Sequence, residues 1–172
     1  SLTAKIRSLN MAKRNASEAV SMLQVAEGGM AEMGNILTRL RELTIQASSD
    51  GIGPRERSYL NKEYVQLVGE IDRIAASTEY NDQPFFVEGL NPQDSYVIQV
   101  GANVSEPEQN RDALELKLGG LRFNSESLGL GMEEEIGSLD LSSGLGPARE
   151  SIAEKINVLD AALQKLSTER AN

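Results

Sequence analysis

The stretch from Leu9 to Leu40 constrains this chain more than any other part of it. Leu9, Ala12, Ala16, Ala19, Leu23, Ala26, Met30, Met33, Leu37 and Leu40 follow one another in steps of three and four, and all ten are apolar. That spacing is the a/d seam of a coiled coil. Held over several heptads, a step of 3.5 against the 3.6 of a straight helix predicts a long, gently left-handed rod packed along its length. From Ile6 to Ala47 such a helix is on the order of 60 Å long. A helix of that length cannot bury its seam alone, so other segments must cover it.

Composition narrows what those segments are. The 172 residues are enough for a single domain with a core, and they are 40% hydrophobic but only 4% aromatic, with no Trp. Aliphatic helix seams fit that balance better than the pocket-rich core of an enzyme. The net charge of −9 opposes a nucleic-acid or acidic-membrane partner, because a phosphate field repels it. There is no His and no Cys. The commonest general base, thiolate nucleophiles, disulfides and the usual zinc ligands are therefore all missing. No run of about 20 apolar residues and no signal-peptide pattern is visible, so neither a membrane span nor a cleavable secretion signal is expected.

Within the first helix, read as residues 1–48, Gly28, Gly29 and Gly34 each cost about 1 kcal/mol relative to Ala, and close approach of a neighbouring helix or a slight bend is the expected reason. Met22, Met30 and Met33 read as core filling at helical spacing. Ser48-Ser49-Asp50-Gly51-Ile52-Gly53-Pro54 is a loop by composition, with Pro54 suited to the first position of the next helix. The second helix, 54–79, carries Leu60, Tyr64, Leu67, Ile71 and Ile74 at the same spacing and is expected to fold back antiparallel on the first. Arg55, Glu56, Arg57, Lys62, Glu63, Glu70, Asp72 and Arg73 are assigned to its solvated face.

Between residues 80 and 145 the period changes. Asn81-Asp82-Gln83-Pro84 breaks the helix, Tyr96-Val97-Ile98-Gln99-Val100 reads as a short strand, and Gly101-Ala102-Asn103 as a turn. Leu114-Glu115-Leu116-Lys117-Leu118 alternates strictly and predicts a half-buried strand, which Leu121-Arg122-Phe123 extends. Gly129-Leu130-Gly131 lacks the third glycine, the Lys-Ser/Thr pair and the strand-to-helix setting of a phosphate loop, so it reads as turn structure. Glu133-Glu134-Glu135 reads as a solvated charge run without the second ligand cluster a cation cage needs. A third helix, 147–172, opens at Gly146-Pro147 and repeats the seam through Ile152, Ile156, Leu159, Leu163 and Leu166. It reaches Asn172 without a helix stop signal, so a piece of a longer protein is expected. The fold class that follows is mainly α: one domain, 1–172, forming an elongated antiparallel rod of three heptad-patterned helices with a small β-hairpin region at one end.

Several stretches also carry a family resemblance. Arg14-Asn15-Ala16, Ala26-Glu27-Gly28 and the run Ile36-Leu37-Thr38-Arg39-Leu40-Arg41-Glu42-Leu43-Thr44-Ile45-Gln46-Ala47 resemble the long first helix of bacterial flagellins, where L-x-R-[VLM]-R-E-L-x-[VI]-Q-[SA] is characteristic. Glu70-Ile71-Asp72-Arg73-Ile74-Ala75 and Thr78-Glu79-Tyr80-Asn81 resemble the second helix and its exit. Phe85-Phe86, Gln99-Val100-Gly101 and Leu128-Gly129-Leu130 resemble the hairpin region, and Leu159-Asp160-Ala161-Ala162-Leu163 the C-terminal rod helix.

The resemblance implies a non-enzymatic structural subunit of the flagellar filament, without cofactor or metal, exported unfolded through the flagellar secretion channel and assembled outside the cell. It implies other copies of the subunit, an export chaperone and cap proteins as partners. It also implies recognition by the innate receptor Toll-like receptor 5 through a rod face that includes Arg39, Leu43, Gln46, Glu63 and Leu159. Outer domains and the terminal segments of the filament's inner tube are not found in these residues, so the chain by itself is expected to stay a soluble monomer. A hook-filament junction protein and an unrelated coiled-coil adaptor are the other readings; the R-E-L-x-I-Q and E-I-D-R runs disfavour the first, and only the motif match disfavours the second.

Overall fold

The structure, a computed structural model, describes residues 2–86, 96–101, 112–116, 122–130 and 145–171. Among these, three helices carry the fold: α1 (Leu2–Ala47), α2 (Pro54–Ser77) and α3 (Leu145–Ala171). With 46 residues, α1 is about 70 Å long. Both other helices run antiparallel along its C-terminal half. Arg41 of α1 meets Asp160 of α3, and Gly34 lies against Leu166, whereas Arg39 meets Glu63 of α2. Met33, Leu37 and Leu40 of α1, Ile71 of α2 and Leu159 of α3 are fully buried in one shared core. Mainly helical, with short antiparallel strand pairs, the chain has the expected fold class.

The predicted seam is buried only in part. Ala12, Ala19, Ala26, Met30, Met33, Leu37 and Leu40 are buried, and the three core methionines include Met22. Leu9 is 50% exposed, Ala16 and Leu23 are half-buried, and Leu2 and Ile6 are exposed. The pairings of Gly34 with Leu166 and Arg41 with Asp160 bring Ala171 level with roughly residue 29 of α1, one residue for one. Toward residue 2, the described residues offer α1 only strands.

Those strands come in two pairs. β1 (Glu79–Tyr80) and β2 (Gln83–Pro84) form a hairpin closed by Asn81 (φ 58°) and Asp82 (φ 62°), both in the left-handed region that a two-residue I′ turn requires. β3 (Tyr96–Gln99) pairs antiparallel with β4 (Ala113–Leu116), Val97 opposite Glu115 and Ile98 opposite Leu114. Asn15 of α1 ties this ribbon down by donating its Nδ2 to the Gln99 carbonyl at 2.9 Å. Arg122 and Phe123 are not strand: Phe123 is fully buried among the helices, and Leu121 and Lys117-Leu118 lie outside the described residues. Ala102-Asn103, Gly131 and Glu133-Glu134-Glu135 also lie outside them. Gly129 is in a turn at φ +70°.

Two residues assigned to the solvated face of α2 are instead tied into the fold, Arg57 buried and Asp72 partly buried. Arg57 is buried, because its guanidinium turns back to the end of α1 and donates Nη2 to the Ser49 carbonyl at 2.9 Å. A cation there faces the negative end of the α1 dipole. Asp72 accepts from Ser125, from its backbone N at 2.7 Å and from its Oγ at 2.8 Å. With Lys165 Nζ donating to the Arg122 carbonyl at 3.2 Å, this clamps the 122–130 segment between α2 and α3, and Leu128 and Leu130 are buried there.

Tyr64 of α2 faces Lys155 of α3, whose Nζ lies 5.9 Å from the ring centroid. Burial pushes the phenol from 10.0 up to about 12. The folded chain therefore holds this proton more tightly than the unfolded chain, so its contribution is complete below pH 10 and is lost as pH rises toward 12. Two units correspond to about 2–3 kcal/mol. Burial lowers Lys155, which works in the opposite sense: stability is regained as pH rises through its folded pKa. Tyr64→Phe is expected to abolish the loss between pH 10 and 12, read from urea midpoints on both sides of that window. An unchanged alkaline loss in Tyr64→Phe would rule Tyr64 out as its source.

Candidate functional site

Arg39 and Arg41 lie on either side of the buried Leu40, two residues apart and about 160° apart when viewed down α1. They reach in opposite directions. Arg41 Nε meets Asp160 Oδ1 on α3 at 2.6 Å, and Arg39 Nη2 meets Glu63 Oε1 on α2 at 2.8 Å. Arg39 is forked. Its Nε also donates to Glu63 at 2.9 Å, and its Nη1 donates to Glu42 Oε2 at 3.2 Å. The hydrogen bond to Glu63, and next the one to Glu42, raises the guanidinium above its ordinary pKa. All three side chains are substantially exposed, so the cluster is a fixed polar surface at the α1–α2 seam with little effect on stability.

Gln46 is exposed two turns further along α1, on the same side as Arg39. Leu43 and Leu159 are placed otherwise. Leu43 is 1% and Leu159 0% exposed, and both belong to the shared core. The five residues grouped by the resemblance thus divide into a surface trio of Arg39, Gln46 and Glu63 and two core leucines. Glu42 joins the trio as a second carboxylate on Arg39, a partner legible from its i,i+3 spacing. Asp160 has no such signal, because α3 reaches Arg41 across 119 residues of sequence.

Elsewhere, Ala19, Met22, Asn81, Val97 and Gln99 line an open furrow of about 440 Å³ between α1 and the strands. Among the described residues no three Asp or Glu side chains are grouped to hold a metal ion. No helix among them is long and apolar enough to cross a membrane.

Residues 1–89 match the family model described as the bacterial flagellin N-terminal helical region. The chain belongs to the bacterial flagellin family. It is similar to the flagellin of Halalkalibacterium halodurans, 39% identical over 105 residues that make up 61% of this chain and 38% of that one. To flagellin FlaB1 of Treponema pallidum it is 30% identical over 178 aligned positions, covering 99% of this chain and 58% of the relative. The chain therefore spans less than two thirds of the length of either relative. A crystal structure of Bacillus cereus flagellin superposes with a TM-score of 0.68 at 30% identity, covering 92% of this chain and 79% of that one.

Proposed function

We propose that this chain is the rod portion of a structural, non-enzymatic subunit of the bacterial flagellar filament, exported and assembled outside the cell with other copies of itself. The observation that carries the proposal is the agreement of family, near-complete alignment to a flagellin and a flagellin fold over 92% of the chain. A long rod whose two ends differ makes a repeating contact that need not close, which is the geometric requirement for a filament. The test compares the 172-residue chain with the same chain flanked by the sequence that adjoins it in its gene, by sedimentation and electron microscopy under mild salting-out. Pelletable helical filaments from the flanked chain are expected. A discrete closed oligomer, or monomer alone, would sink the proposal. An export chaperone and cap proteins are the further partners this reading carries.

We propose in addition that Toll-like receptor 5 reads the surface trio Arg39, Gln46 and Glu63, with Leu43 and Leu159 holding α1 and α3 beneath it. Arg39 supports this reading, as an exposed arginine already fixed in a fork and so cheap to order on binding. Arg39→Ala is expected to weaken receptor signalling by about tenfold or more with the fold intact, since an interface arginine at the centre of a contact is worth over 1 kcal/mol. A full response from Arg39→Ala in a reporter-cell titration would remove this face as the recognition site.

A further inference from the structure

The outward ridge of α2 carries a second pattern that the core does not use. Arg55, Tyr59, Lys62, Gln66, Gly69 and Arg73 recur in steps of four and three, on the side of the helix away from the buried Tyr64, Val68 and Ile71. In a chain of net charge −9, this line holds cations and no carboxylate. Glu63 is turned to Arg39 and Glu70 to Arg73, while Glu56 lies about 100° round the helix from Arg55. Tyr59 is 55% exposed between two of the cations, its hydroxyl 3.3 Å from Arg55 Nε and its ring centroid 5.8 Å from Lys62 Nζ. An exposed tyrosine flanked by preset cations has the composition of an interface anchor.

The acidic counterpart lies at the other end of the same helix. Glu79 and Asp82, on the β1–β2 hairpin, are both exposed, and neither forms an ion pair among the described residues. From Tyr59 to Glu79 is about 30 Å along the helix axis. We propose that the Arg55–Tyr59–Lys62 end of α2 receives the Glu79/Asp82 hairpin of a second copy of this chain, shifted along the rod. A basic patch and an acidic patch on one molecule, separated along its axis, give a head-to-tail contact that repeats without closing. This rests on the filament reading and assigns it a lateral contact.

The test uses the chain with the sequence that flanks it in its gene, read by critical concentration for assembly, electron microscopy and circular dichroism. Arg55→Glu/Lys62→Glu is expected to keep native helicity and raise the critical concentration about tenfold, an effect that shrinks in high salt. Adding Glu79→Lys/Asp82→Asn, which leaves a turn-compatible residue at position 82, is expected to restore assembly to within about threefold of the unmodified chain. Arg55→Gln/Lys62→Gln places no new charge and is expected to give the same ordering at smaller amplitude, which covers a misfolded double reversal. Unchanged assembly in the reversed or neutralised ridge overturns the ridge contact while leaving the filament reading standing. Loss that the hairpin change does not restore overturns the hairpin as its partner. Failure of the unmodified flanked chain to assemble overturns both readings.

Discussion

Gly29→Ala is expected to destabilise this chain by about 1–3 kcal/mol, whereas the same change one residue earlier, Gly28→Ala, is expected to stabilise it by about 1 kcal/mol. Both glycines sit in α1, where alanine is the better helix former. They differ in what faces them. A Cβ on Gly29 would lie 2.7 Å from Thr78 Oγ1, 2.8 Å from Thr78 Cγ2 and 3.0 Å from a Phe86 ring carbon, while a Cβ on Gly28 meets nothing within 4 Å. Thr78 cannot turn aside, because its hydroxyl donates to the Ile74 carbonyl at 2.7 Å and its backbone carbonyl accepts from Phe85 N at 3.1 Å. The β1–β2 hairpin would have to back away from α1. Urea unfolding of the two single variants measures both signs at once. Equal stabilisation by both would mean that the hairpin does not dock where Gly29 places it.

Phe123→Ala is expected to cost about 3–5 kcal/mol, in the upper range for a core aromatic. Phe123 is 0% exposed, its ring centroid 5.6 Å from that of Phe86 in an edge arrangement, and Phe86 is 6.2 Å from Phe85. Edge contacts of this kind add about 0.5–1.5 kcal/mol to the area they bury. Lys165 Nζ sits 5.6 Å from the same ring and hydrogen-bonds the carbonyl just before it. Removing the ring loosens one anchor of the 122–130 segment, while the Asp72–Ser125 hydrogen bonds remain as the other. Hydrogen exchange at the Leu130 amide, bonded to the Ser125 carbonyl at 2.8 Å, should therefore rise more than exchange in mid-α2. A loss below about 1 kcal/mol would show that the aromatic cluster is not a core of this chain.

The helices were legible in the sequence because a helical seam is a local, periodic signal. Ala47 and Pro54 bound α1 and α2 where loop chemistry and a first-position proline place them, and Met30, Met33, Leu37 and Leu40 are buried as their spacing requires. The strands at Tyr96–Gln99 and Ala113–Leu116 were legible as separate short segments, the second from a period near two, but that they pair with each other, and that Leu114 is 43% exposed, was decided by the tertiary structure. Periodicity says which face is apolar, but it does not say how far a neighbour extends along it. Leu9 carries the same pattern as Leu37 and is half exposed, because the antiparallel offset of α3 leaves the described residues without a helix at that level. Charge type was no better a guide to exposure. Arg57 and Asp72 read as solvent-facing, yet one closes the end of α1 and the other anchors a segment 53 residues away.

The same division holds for the surface. Sequence alone determined the rod, its order of helices and the family motifs that name Arg39 and Glu63, since each of these is carried by residues close together in the chain. Only the tertiary structure decided that Arg39 is forked between Glu63 and Glu42, that Leu43 and Leu159 lie beneath the surface, and that Arg41 finds Asp160. Those outcomes depend on how three helices are offset and rotated against one another. A rotation or sliding of one helix by a fraction of a turn moves a side chain from core to surface without changing any local pattern.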